Sequence, residues 1–218
     1  MIPLISIMAC KICEARRTRR FCPGVGGDIC AVCCGTGREE TILCPLDCEY
    51  LRQARVHEKP AELKPEQIPH ADIPVPDEFL DANAPLLGAA MHAMVRAGLD
   101  TAGAVDRDLR EALDALVRTY RTRESGLYYD SRPDNIVAAR IQAEAQRAID
   151  DYREQSRRQL GISTVRDVDV LGTLVFLERL ALNMDNGRSR GRAFLDFLRA
   201  NTGVEQPPAP GSSRLVLP

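Results

Sequence analysis

Residues 10–48 read CKICEARRTRRFCPGVGGDICAVCCGTGREETILCPLDC, and all eight cysteines of the 218-residue chain fall inside this stretch. Their spacing is Cys10-x2-Cys13, Cys22, Cys30-x2-Cys33-Cys34 and Cys44-x3-Cys48, enough thiols for two sets of four. So short a segment cannot bury the apolar area a fold needs, so ligand-to-metal bonds must replace the missing core. Zinc suits the donor set, because it accepts four soft thiolates in a tetrahedron without a ligand-field preference. The expectation is two Zn2+ ions held by Cys10, Cys13, Cys22, Cys30, Cys33, Cys34, Cys44 and Cys48. An iron–sulfur cluster is the alternative, although the compact ferredoxin run of cysteines is absent.

Two pairings are open. In a nested scheme Cys30, Cys33, Cys44 and Cys48 form one site, and Cys10, Cys13, Cys22 and Cys34 the other. In a cross-braced scheme Cys10 and Cys13 join Cys30 and one of the adjacent pair, while Cys22 takes the other with Cys44 and Cys48. Gly35 is expected at a turn of positive φ after Cys34, Thr41–Leu43 as a short strand, and Pro45 in the first turn of a helix carrying Cys44 and Cys48. A knuckle, hairpin and helix of this kind resemble a treble clef.

The run from Cys10-Lys11-Ile12-Cys13 through Arg20-Phe21-Cys22-Pro23 and Ile29-Cys30 to Cys44-Pro45-Leu46-Asp47-Cys48 resembles the HIT and MYND zinc fingers and, more loosely, the B-box. It departs from them at Gly24-Val25-Gly26-Gly27, where those families carry a further ligand, and in lacking the histidine usual near the end of MYND domains. Cys33 or Cys34 would fill the gap. The resemblance implies cross-braced pairing and a protein-binding or assembly role.

Outward from this stretch the composition changes. Residues 57–76 form a proline-rich linker, expected to be extended because each proline fixes its own φ and removes a donor. Residues 77–202 carry helical periodicity. A first helix spans about Asp77 to Ala97, with Pro85 breaking or starting it and Gly98 available to end it. The second, Asp106 to Glu124, sets Leu109, Leu113, Leu116, Val117 and Tyr120 on one face. The third runs from about Pro133 to Leu160. The fourth opens near Thr164 and is apolar on most sides from Leu171 to Met184, which places it in the middle of a bundle. The fifth covers about Ser189 to Ala200. The fold class is therefore mainly α: a small two-metal treble-clef-like module (1–56), the linker, an all-α bundle of four or five helices, and a disordered tail (203–218).

Charge limits the partners. Lys plus Arg number 29 against 31 Asp plus Glu, and no segment has the basic excess that grips a phosphate backbone. Arg16, Arg17, Arg19, Arg20 and Phe21 form a local cluster that could contact a partner or balance thiolate charge. Arg188, Arg190 and Arg192 form another. Tyr128-Tyr129 are expected to pack over the bundle end, and His57 is a weak candidate to replace a cysteine ligand. There is no phosphate-cradling loop, nucleophile elbow or histidine metalloprotease motif, nor an apolar run long enough for a membrane span. Met8 offers a second possible start, with residues 1–7 an upstream extension. The expectation is a cytoplasmic, non-enzymatic adaptor that binds protein. A nucleic-acid-binding regulator using the arginine clusters and an iron–sulfur redox protein are the alternatives.

Overall fold

The computed structural model describes residues 9–58, 63–161 and 165–205. The possible start at Met8, Pro60 of the linker, Thr164 at the expected opening of the fourth helix, and the tail from Gln206 lie outside them. Within them the chain is mainly helical, with one two-stranded sheet.

The cysteine module begins with a hairpin, β1 (Arg20–Cys22) antiparallel to β2 (Gly27–Ile29), in the register Arg20 to Ile29, Phe21 to Asp28 and Cys22 to Gly27. The glycines between the strands allow the tight reversal, with Gly26 at φ +63°. Two one-turn-and-more helices follow, α1 (Ala31–Gly37) and α2 (Glu49–Arg55). Three local expectations are corrected. Gly35 sits inside α1 and needs no positive φ; Glu39 adopts it instead, at φ 52°. Residues 41–43 make a single bridge, Arg38 to Ile42, and no strand. Cys44 and Pro45 precede α2, whose N-cap is Cys48, so the two cysteines do not share a helix face.

The body contains α3 (Asp77–Ala82), α4 (Ala84–Asp100), α5 (Asp106–Glu124), α6 (Ile136–Leu160), α7 (Asp167–Asn183) and α8 (Ala193–Thr202). The first expected helix is split at Asn83, because Pro85 lacks an amide donor and fits only a first turn. Its second half then runs through Gly98, against which Leu195 is packed so closely that a Cβ would lie 2.9 Å away. α5 buries Leu109, Leu113, Leu116, Val117 and Tyr120 as its periodicity requires, and packs on α6, α7 and α8. α7 packs on α5 and α4, and its further apolar side is covered: the Phe79 ring of α3 lies over Gly172, where a Cβ would meet it at 2.5 Å.

Helix starts are stapled by carboxylates. Asp108 accepts from the Val105 amide (2.8 Å) and from Asn135 (2.6 Å) at the start of α6, while Asp169 accepts from the Arg166 amide (3.0 Å). The first amides of α8 are capped from another helix, since buried Asp106 of α5 accepts from Phe194 and Leu195 at 2.9 Å each.

Over its described part the proline-rich stretch is a strap, not a free tether. Residues Pro65–Gln67 form a 3-10 turn, and Ile73 and Val75 pack on the main core. The Arg179 guanidinium of α7 donates to the carbonyls of Pro69 (3.1 Å), His70 (2.5 Å) and Ile73 (2.9 Å), satisfying a backbone that forms no ladder. The exposed Tyr128 and Tyr129, 88% and 69% accessible, do not pack over the bundle end as expected. Their loop is instead fixed by its backbone, with Ser131 donating to Thr119 and Thr122 to the Tyr129 carbonyl.

Beneath the strap, Glu178 lies 3.2 Å from His70 Nε2. Burial, and then the Asp114 carboxylate, push Glu178 up to about 7, and burial holds His70 below its ordinary range. A carboxyl that keeps its proton more readily when folded costs stability as pH rises through that window. Glu178→Gln should therefore gain on the wild type by about 1–2 kcal/mol between pH 4.5 and 8, after allowance for solvent screening. Paired urea titrations followed by helical circular dichroism check this, the chain having no tryptophan.

Candidate metal centre

All eight cysteines are free thiols. Cys10 and Cys13 lie on the first knuckle, Cys30 caps α1, and Cys33 occupies its first turn. The four sulfurs all lie within 4.8 Å of one another, and this group could hold a metal ion. Four sulfurs at about 2.3 Å around a tetrahedral zinc stand roughly 3.8 Å apart, so the spacing suits one. The nested pairing is overturned: Cys30 and Cys33 face Cys10 and Cys13, because β2 carries Cys30 directly back to the knuckle through Lys11 N–H to the Asp28 carbonyl (2.9 Å). Cys34, the next residue along α1, points to the opposite side.

Backbone amides converge on the sulfurs, as a cluster of thiolates requires. The Cys30 amide donates to Cys10 Sγ (3.2 Å) and the Cys33 amide to Cys30 Sγ (3.4 Å). Burial acts against ionising Cys10, yet the amides of Cys13, Cys30 and Ile12 bring it down to about 6. The amides of Ala15 and Arg16 lower Cys13. Cys33 goes the other way, pushed up to about 12 by burial and by the three sulfurs beside it. Four thiols so close cannot all ionise by themselves. A divalent cation would supply the charge that makes four thiolates compatible, and the donor set fits one.

On the other side of α1, Cys22, Cys34, Cys44 and Cys48 line one narrow cavity together with Tyr50 and Leu51, but their sulfurs do not gather within 4.8 Å of one another as the first four do. Burial raises Cys44, and the Glu39 carboxylate and then Cys48 and Cys22 add to the shift, while the Glu39 amide opposes it. The cluster of arginines is divided by the fold. Arg20 turns inward, its guanidinium 3.8 Å from the Tyr50 ring centroid and 3.6 Å from Cys34 Sγ. Arg16 faces Cys30 and Cys13, whose sulfurs raise its pKa. Arg17, Arg19 and Phe21 remain exposed. His57 is exposed beyond α2 and lines neither group.

What sequence reasoning missed is the residue that fastens this centre to the body. Glu39 is fully buried, and its carboxylate accepts from Arg55 (2.8 Å), from Asn186 (3.0 Å) and from the Arg192 amide (3.0 Å). Its carbonyl accepts from the Arg190 amide at 2.7 Å. Arg55 in turn pairs with Asp196 of α8, and Arg199 with Asp196 and Asp47. Leu46, between the last two cysteines, is buried in the core of the helical body. The second arginine cluster is absorbed here, since Arg188 donates to the Arg38 carbonyl (2.6 Å) and Arg192 is buried. Leu46, an apolar residue in a polar loop, was the readable signal; Glu39 carried none.

Comparison of the chain with family models, with curated proteins and with solved structures finds no match. Function is therefore argued from the site.

Removing one partner of a buried ion pair leaves an uncompensated charge. Glu39→Ala should cost about 3–5 kcal/mol in urea unfolding, several times the loss for the exposed pair broken by Glu111→Ala. Equal losses from the two substitutions would show that Glu39 is not a fastening point.

Proposed function

We propose that the chain is a zinc-stabilised, non-enzymatic interaction protein of the cytoplasm. Two zinc ions would be held by eight thiolates, one by Cys10, Cys13, Cys30 and Cys33, the other by Cys22, Cys34, Cys44 and Cys48. The observation that carries the reading is the first sulfur group together with the division of Cys33 and Cys34 to opposite sides of α1. Four protein ligands close a zinc site and leave no position for a substrate, which marks structural zinc. The arrangement has the ligand order implied by the resemblance to the HIT and MYND fingers, whose role is protein binding or assembly. Eight free thiols suit a reducing compartment, and no helix among the described residues is long and apolar enough to cross a membrane.

Chain purified without oxygen should be colourless and contain two zinc ions by elemental analysis. Cys10→Ser should lose one of them and Cys48→Ser the other, with the helical circular dichroism of the body largely kept. Stoichiometric iron with visible absorption would replace this reading with the iron–sulfur one. Absence of any bound metal would end both.

A further inference from the structure

The hairpin of the module leaves one face uncommitted. Side chains alternate along β1, so Arg20 and Cys22 go inward to Tyr50 and the second sulfur group, and Arg19 and Phe21 go outward. Phe21 is 61% accessible, so most of its apolar surface is left in water and contributes little to the module's own stability. Arg17, two residues earlier, is exposed and held by the bridge to Ala9, and Arg19 is tied into the ladder by its amide to the Ile29 carbonyl (3.0 Å). Both guanidinia are therefore presented from fixed backbone. Neither forms an ion pair among the described residues, whereas the helical body pairs its arginines with carboxylates repeatedly. The Lys11 ammonium is turned away to the carbonyls of Val25 (3.2 Å) and Gly26 (2.9 Å), where it rigidifies the hairpin turn.

We infer that this outward face, Phe21 flanked by Arg17 and Arg19, binds an acidic peptide segment carrying an apolar side chain. The inference rests on the interaction-protein reading and names its partner by chemistry. Two guanidinia on rigid backbone match carboxylates in bidentate geometry, and the ring between them supplies the apolar anchor that charge alone lacks. A nucleic acid fits less well. A protein that grips a duplex through its backbone makes about 6–10 phosphate contacts, against two outward guanidinia here. Exposed charge pairs contribute little each, so affinity should be modest, about 10–100 µM.

The test is selection from a random-peptide display library on the full-length, metal-loaded chain, with the R17E/R19E and F21S variants selected in parallel. Metal content and circular dichroism of each variant, equal to wild type, establish that it is folded. Wild type should enrich peptides of net negative charge with an aromatic or leucine residue. Their binding should fall about tenfold or more in F21S and vanish in R17E/R19E, which should instead enrich basic peptides. Enrichment of peptides that bind all three proteins alike would overturn this assignment while leaving the interaction-protein reading standing. Failure to enrich any peptide would overturn the assignment, and if the metal sites are also empty the broader reading fails separately. Binding of duplex or single-stranded DNA that depends on Arg17 and Arg19 and falls steeply with salt, in place of peptide binding, would also overturn it.

Discussion

The buried carboxylate of Glu39 is the centre of the contacts that hold the cysteine module to the helical body. On the cysteine side the Glu39 amide opposes the upward shift of the Cys44 thiol, and on the other its carboxylate takes Arg55, Asn186 and the Arg192 amide. A charge with no access to water is tolerated when it is paired and hydrogen-bonded, and here side chains and backbone of three different segments supply three donors, one of them a guanidinium. The geometry asks for a left-handed backbone at a non-glycine residue, a local cost that the surrounding bonds must offset. Because the donors come from α2, from the turn after α7 and from the entry to α8, the carboxylate can be satisfied only if the cysteine module is correctly folded against the body.

The consequence reaches further into the helices. α8 is short, and its first amides are capped by Asp106 of α5, whose own amide donates to the Gly191 carbonyl. Its approach segment, residues 185–192, is held by Glu39, Glu40 and the Arg38 carbonyl. The last helix therefore depends on the cysteine module, whose proposed source of order is sulfur bound to metal. Leu46 adds an apolar plug from the same loop as Cys44 and Cys48, so that ligand positions and core packing are set by neighbouring residues. A module that small gains a second source of order from this contact, and the body gains a cover for its end.

The sequence disclosed elements whose stability is local. α5 and α6 follow from apolar periodicity, and the helix class of the body with them. Cysteine spacing located the sulfur groups but could not divide them, because pairing depends on which way β2 returns the chain, a property of the hairpin register. Boundaries turn on backbone detail: of the two roles open to Pro85 it takes the start of α4, which splits the helix expected from Asp77 to Ala97, while Pro45 lies before α2 because Cys48 takes the cap. α7 looked central because it is apolar on most sides, yet part of that surface is covered by Phe79 and the strap, partners whose proline-rich neighbourhood reads as linker. Glu39 was invisible for a general reason. A buried carboxylate is defined by donors roughly 15 to 150 positions away, and nothing in its neighbours Arg38 and Glu40 marks it as other than surface.

Amide hydrogen exchange across residues 185–198, measured before and after complete removal of metal by a chelator, tests the coupling most directly. The account predicts that this segment, including the capped amides of Phe194 and Leu195, loses protection together with the cysteine module, while the facing residues of α5 and α6 around Leu113 and Ile141 keep theirs. Unchanged protection of 185–198 in metal-free protein would contradict it, for the body would then hold its last helix without help from the sulfur-bound end.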